Sequence, residues 1–171
     1  MNKKAVFMAL FCLATPVVAA DWPDWVTNPA AQGGIAAGEC TEASDNPSID
    51  RQMIVANARV ALAQTINVRV KAVDKVYSTR TQKTGEKPVT SSTFERASEQ
   101  ITEQALENSR VTRFEIVHKT FGPNLVCAVV TLADKETRTF FNNLVTTARV
   151  EVPPAVQEEL FDTFRGRSAQ Q

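Results

Sequence analysis

His118, Cys40 and Cys127 are the residues of this chain whose types invite a chemical reading. A nucleophilic mechanism needs a nucleophile, a base and a third group that orients the base. His118 is the single histidine. It follows Phe114 and Ile116 at alternate positions beside a Gly122-Pro123-Asn124 turn, where a lone histidine is expected to be structural or surface-exposed. Cys127 lies inside the apolar run LVCAVVTL, Leu125 to Leu132, and apolar surroundings blunt a thiol as a nucleophile. There is no His-x-x-x-His, no Cys-x-x-Cys pair and no Asp/Asn-dense loop, so a metal site has no support. Gly33-Gly34 lacks the third glycine and the lysine of a phosphate loop. Glu99, Glu103 and Glu107 form an acidic row, which is expected to be a solvated helix face. A carboxylate pair could act as acid and base, but the sequence singles none out. The expectation is a protein that is not an enzyme, with no catalytic, cofactor-binding or metal-ligating residues.

The remaining chemistry of the cysteines depends on compartment. The chain opens Met1-Asn2-Lys3-Lys4, a basic start, followed by the uncharged apolar run Ala5 to Ala14. Pro16 interrupts it, and Val18-Ala19-Ala20 supplies small residues where a signal peptidase reads. This is the order of a secretory signal, and the run is too short for a membrane span, which takes about 20 apolar residues. The pattern predicts cleavage after Ala20 and a mature periplasmic chain starting at Asp21, with no transmembrane anchor. Cys12 is preceded by bulky Leu10 and Phe11, so it reads as part of the signal core rather than a lipidation site. In an oxidising compartment the remaining pair, Cys40 and Cys127, favours a disulfide. Such a bond would close a loop of more than half the mature chain, worth ~4–5 kcal/mol in the chain-entropy model. The alternative is two separate buried thiols.

The full chain carries 19 basic and 19 acidic residues. Losing Lys3 and Lys4 leaves the mature protein slightly acidic. No basic stripe exists to hold phosphates, so nucleic acid is not an expected partner.

The elements follow from pattern. Residues 21–32 read as an extended lead-in kept out of helix by Pro23 and Pro29. GGIAAGEC, Gly33 to Cys40, reads as a strand in which Gly34 and Gly38 allow close approach by a helix. Asn46 and Pro47 open a helix to about Thr65, with Ile49, Met53, Ala56, Val60 and Ala63 as its expected core stripe. Ile66, Val68 and Val70 then alternate with polar residues, which predicts a strand, with a helical continuation as the alternative. Gln82 to Ser91 reads as a loop. Ser92-Thr93-Phe94-Glu95 reads as a capping box for a second helix that buries Phe94, Ala97, Ile101 and Ala105. A strand carrying Phe114 and Ile116, with His118 on the same face, turns into the central strand Leu125–Leu132. Asp134 is expected to cap a third helix with Phe140, Phe141, Leu144 and Val145 inward. After Pro153-Pro154 comes a short amphipathic turn with Val156, Leu160, Phe161 and Phe164, then a frayed end from Gly166. The sum is a single α+β domain over residues 33–148, with helices on one antiparallel sheet, followed by an amphipathic tail over 149–171.

Several of these pieces share an order with a known family. Pro23-x-Trp25-Val26 with Pro29 behind it comes first, then Ile35-Ala36-Ala37-Gly38. The alanine-rich ANARVALAQTINVRV, Ala56 to Val70, follows, and last the Ser98–Leu106 helix feeding VTRFEIVHKTFGPNLVCAVVTLA. In this order the chain resembles the LPP20 family of bacterial envelope proteins over roughly Trp22 to Phe141. The resemblance implies a small α+β domain and a non-enzymatic envelope role, often tied to the outer membrane or the flagellum. It brings no catalytic residues. Many members are lipid-anchored through a cysteine at the mature amino terminus, and Asp21 stands there instead, so a free periplasmic protein is expected.

The expected function is therefore a structural or interaction protein that binds an envelope partner, flagellar or outer-membrane. The rival is a small-ligand-binding module with an apolar pocket. Candidate partner contacts are Trp22, Trp25, Phe161 and Phe164, since tryptophan is enriched at binding hot spots. Trp25 is expected to pack over the sheet with Val26, whereas Trp22 can equally pack or stay exposed.

Overall fold

The strand Leu125–Leu132 is apolar except for Thr131, and the chain is arranged so that every one of its residues is buried. A computed structural model describes residues 22–29, 31, 34–84 and 92–166. The secretory signal expected at residues 1–20 lies outside the described residues. The described elements are α1 (Asp24–Thr27), β1 (Ile35–Glu42), α2 (Pro47–Thr84), α3 (Thr93–Glu107), β2 (Arg110–Val117), β3 (Leu125–Leu132), α4 (Asp134–Ala148) and α5 (Pro154–Phe164). The sheet is antiparallel with order β1-β3-β2. All eight residues of the central β3 are buried. This is the α+β architecture that the sequence predicts.

The main core lies on the face of β3 that presents Val126, Ala128, Val130 and Leu132. There α2 lies across β1 and β3, α3 packs beside α2, and α4 and α5 complete the cover. The long helix differs from expectation in two linked ways. Ile66–Val70 is helical, not a strand, and α2 continues through it to Thr84, past the start of the expected loop at Gln82. The buried row is Ile54, Ala58, Leu62, Ile66, Val70, Val73 and Tyr77. The expected core stripe faces outward, with Ile49, Met53 and Val60 exposed at 57%, 41% and 57%. Both rows have helical spacing, but only the first is continued by Ile66 and Val70. Val68, between those two, is 69% exposed, as a helix requires and a strand of that register would not.

The helix ends show which groups satisfy the free amides of a first turn. For α2 the expectation holds: the Ile49 amide donates to Asn46 Oδ1 at 3.3 Å, and Pro47 opens the helix. For α3 the capping box does not form. Asp74 of α2 takes its place, accepting from the amides of Phe94 (3.2 Å) and Glu95 (3.1 Å). Ser92 Oγ instead accepts from the Arg96 guanidinium. For α4, Ala133 occupies the cap position and Asp134 is already helical. Asp134 pairs with Arg165 at 3.2 Å, while the buried Thr137 hydroxyl donates back to the Leu132 carbonyl.

The tail is core rather than surface. The expected short turn is the helix α5, and Leu160, Phe161 and Phe164 are fully buried. Phe164 stacks on Phe140 at 5.5 Å, and Phe161 packs against Phe141 at 5.3 Å. The guanidinium groups of Arg138 and Arg165 lie 3.5 Å and 5.1 Å from the centroid of the Phe161 ring. His118 falls beyond the end of β2 and is exposed.

Burial raises the pKa of the Asp74 carboxyl from its ordinary value, while its two amide bonds pull it down and nearby Glu95 raises it again. The raised folded value means that the folded state holds this proton more tightly than the unfolded chain. The stability from this site is fully present below about pH 4 and is lost as pH rises through the folded value. Asp74→Ala strands two amides and is expected to cost about 1–3 kcal/mol in urea unfolding at pH 7. Asp74→Asn removes the titration, so wild type should lose stability relative to it from about pH 4 upward. Parallel pH profiles for the two proteins would reject this role for the carboxyl.

Candidate functional site

The other face of the sheet carries a small cluster of its own. Val26, Leu125 and Cys127 are buried there, with Trp22, Trp25, Cys40 and Val117 packed around them. It forms because β1 lacks a side chain at Gly38. A Cβ at that position would sit 2.7 Å from the Val26 carbonyl oxygen and 2.9 Å from its Cα. The backbone of α1 therefore rests directly on the strand. The close approach expected at Gly38 is made by this four-residue helix, and the lead-in is not wholly extended despite its prolines. At Gly34 the neighbour is backbone, the Leu132 carbonyl, rather than a helix.

Cys40 and Cys127 are direct cross-strand partners, and a disulfide joins them with their Cα atoms 4.1 Å apart. Cys127 is fully buried. Trp25 packs on this cluster, and the Arg113 guanidinium lies 4.2 Å from its ring centroid. Arg113 is itself held by Glu115 at 2.7 Å. Further along the same face, Thr131 meets the Thr112 hydroxyl at 2.9 Å. The fold thus brings together Trp22, Trp25, Cys40 and Cys127. It separates them from Phe161 and Phe164, which lie in the main core and present no surface to a partner. Trp25 with Val26 packs as expected, and Trp22 is half-buried at the rim.

A second feature bears on the rival ligand-binding reading, for whose apolar pocket the sequence named no residues. Between the carboxyl half of α2 and the connection from α4 to α5 lies an open groove of about 1420 Å³. Val76, Val150, Val152 and Val156 line it and are half-buried against the core. Lys75, Arg80, Arg149, Glu151 and Glu159 bring charge to it. Arg80 is paired with Glu159. Neither Lys75 nor Arg149 has a carboxylate within ion-pair distance among the described residues. Arg149 ends α4 in the left-handed region, φ 54° and ψ 39°, where glycine or asparagine is the usual residue. An arginine directly after a helix, with no glycine near, was the available sequence signal. No motif surrounds it.

A narrower cleft of about 410 Å³ lies between α1 and α2, beside Gly38 and Arg69. Burial lowers the pKa of Arg69, whose guanidinium donates to the Phe164 carbonyl at 3.2 Å and so closes the end of α5. No group of three metal-ligating side chains occurs among the described residues. No described helix is long and apolar enough to cross a membrane. Compared with known proteins, the chain matches no family model, no curated protein and no solved structure.

Two measurements test the sheet's second face. Reduction, or the Cys40→Ser/Cys127→Ser double variant, is expected to lower unfolding free energy by about 2–5 kcal/mol. Equal urea midpoints with and without reductant would contradict it. Gly38→Val should lift α1 and shift tryptophan emission to the red as Trp25 meets water, and an unmoved maximum would show that α1 does not depend on this glycine.

Proposed function

We propose that the chain is exported to the periplasm and serves there as a non-enzymatic interaction protein of the cell envelope. The observation that carries this reading is the Cys40–Cys127 disulfide, because such bonds persist in oxidising compartments. The secretory pattern of residues 1–20 points the same way. The groups that could have reacted do not converge: the cysteines are bonded to each other and His118 stands exposed beyond β2. The LPP20-like order of motifs supports a narrower form of the reading, association with the outer membrane or the flagellar apparatus. The contact surface would be the rim around Trp22, since Phe161 and Phe164 are core residues.

A second reading, a periplasmic small-ligand-binding module, is favoured by the groove beside Arg149.

Fractionation of the native cells tests the first reading, with flagellar basal bodies isolated separately and each fraction immunoblotted. The expected result is a protein shortened by residues 1–20 in the periplasmic or outer-membrane fraction. A full-length cytosolic protein would remove the proposal. Trp22→Ala is expected to weaken co-purification of the envelope partner about tenfold while leaving the melting temperature nearly unchanged. Unaltered co-purification would take Trp22 out of the contact.

A further inference from the structure

The groove between α2 and the α4–α5 connection has a chemical bias. Its floor is aliphatic: Val76, Val150, Val152 and Val156 remain half-exposed although the phenylalanine core beneath them is complete. The volume of about 1420 Å³ exceeds the ~300–1,000 Å³ usual for compact ligands, which suits a long flexible chain better than a small rigid metabolite. The charges are unequal. Arg80 is neutralised by Glu159, which leaves Lys75 and Arg149 against Glu151. Arg149 adds an independent observation. Its left-handed backbone carries a cost that glycine would avoid, and strain of this kind is found clustered at ligand sites.

We infer that this groove binds a single-chain anionic amphiphile, an acyl chain laid on the valines with its carboxylate between Lys75 and Arg149. The inference deepens the ligand-binding reading above and rests on it. Glu151 opposes the headgroup, so its charge sets an upper limit on affinity.

The test is titration calorimetry of the mature, disulfide-bonded protein with laurate below its micelle concentration. Acetate serves as the head alone and dodecyltrimethylammonium as the chain with opposite charge. Laurate is expected to bind at one site, acetate to give no heat, and the cationic chain to bind at least tenfold more weakly. Lys75→Gln and Arg149→Gln should each weaken laurate several-fold, and Glu151→Gln should strengthen it. Arg149→Gly separates binding from folding: it should weaken laurate equally while raising the melting temperature by roughly 2–4 °C through relief of the backbone. Val60→Ser, on the exposed row of α2, should leave affinity unchanged. Equal binding of both chain charges, full affinity in Arg149→Gly, or loss in Val60→Ser would each overturn the site. Failure of every acyl probe would end the ligand reading while the cell fractionation still decides the compartment.

Discussion

Because Leu125–Leu132 is buried along its whole length, the protein has to cover two faces of a sheet only three strands wide. One face is closed by helices, the usual solution for α+β chains. The other is closed by a segment with almost no bulk to spend. A one-turn helix, two half-buried indoles and a cross-link do there what four helices do opposite. Gly38 makes this possible, since any side chain at that position would hold α1 off the strand. The thin cover is thus a packing solution built on the absence of one side chain.

The thick cover depends on a polar contact. Two helices meet where Asp74 of α2 receives the first amides of α3. A side chain from one helix caps another, so the start of α3 is set by tertiary packing rather than by its own sequence. A local box at Ser92 and Glu95 was available and is not used. Asp74 keeps its place at the expense of burying a carboxyl that the environment tends to protonate.

What could be read from residues alone followed from interactions that are local or compositional. The central strand showed itself by seven apolar residues in eight, the α2 start by Asn46-Pro47, and the disulfide by a pair of cysteines behind a secretory pattern. The packing of Trp25 and Val26 was legible because apolar bulk there had only the sheet to bury against. The misreadings came from competition between equivalent patterns. α2 carries two apolar rows on opposite sides, and assigning Ile66–Val70 to a strand removed the residues that reveal which row continues into the core. Taking Phe161 and Phe164 as surface had a similar cause: a short tail after two prolines looked peripheral until its aromatics met Phe140 and Phe141. The groove beside Arg149 was invisible because it joins segments remote in sequence.

The pairing of Cys40 with Cys127 also bears on the order in which the molecule can be made. The two lie 87 positions apart, and synthesis runs from the amino end. Among the described residues the sheet neighbour of Ile35–Glu42 is β3, the last strand in the chain, so its pairing must wait until α2, α3 and β2 have been made. During that interval its edge is open to wrong partners. When β3 arrives, a slip of one residue would turn the two thiols to opposite sides of the sheet. The bond between Cys40 and Cys127 therefore holds the native register of β1 on β3 as well as tethering distant parts of the chain.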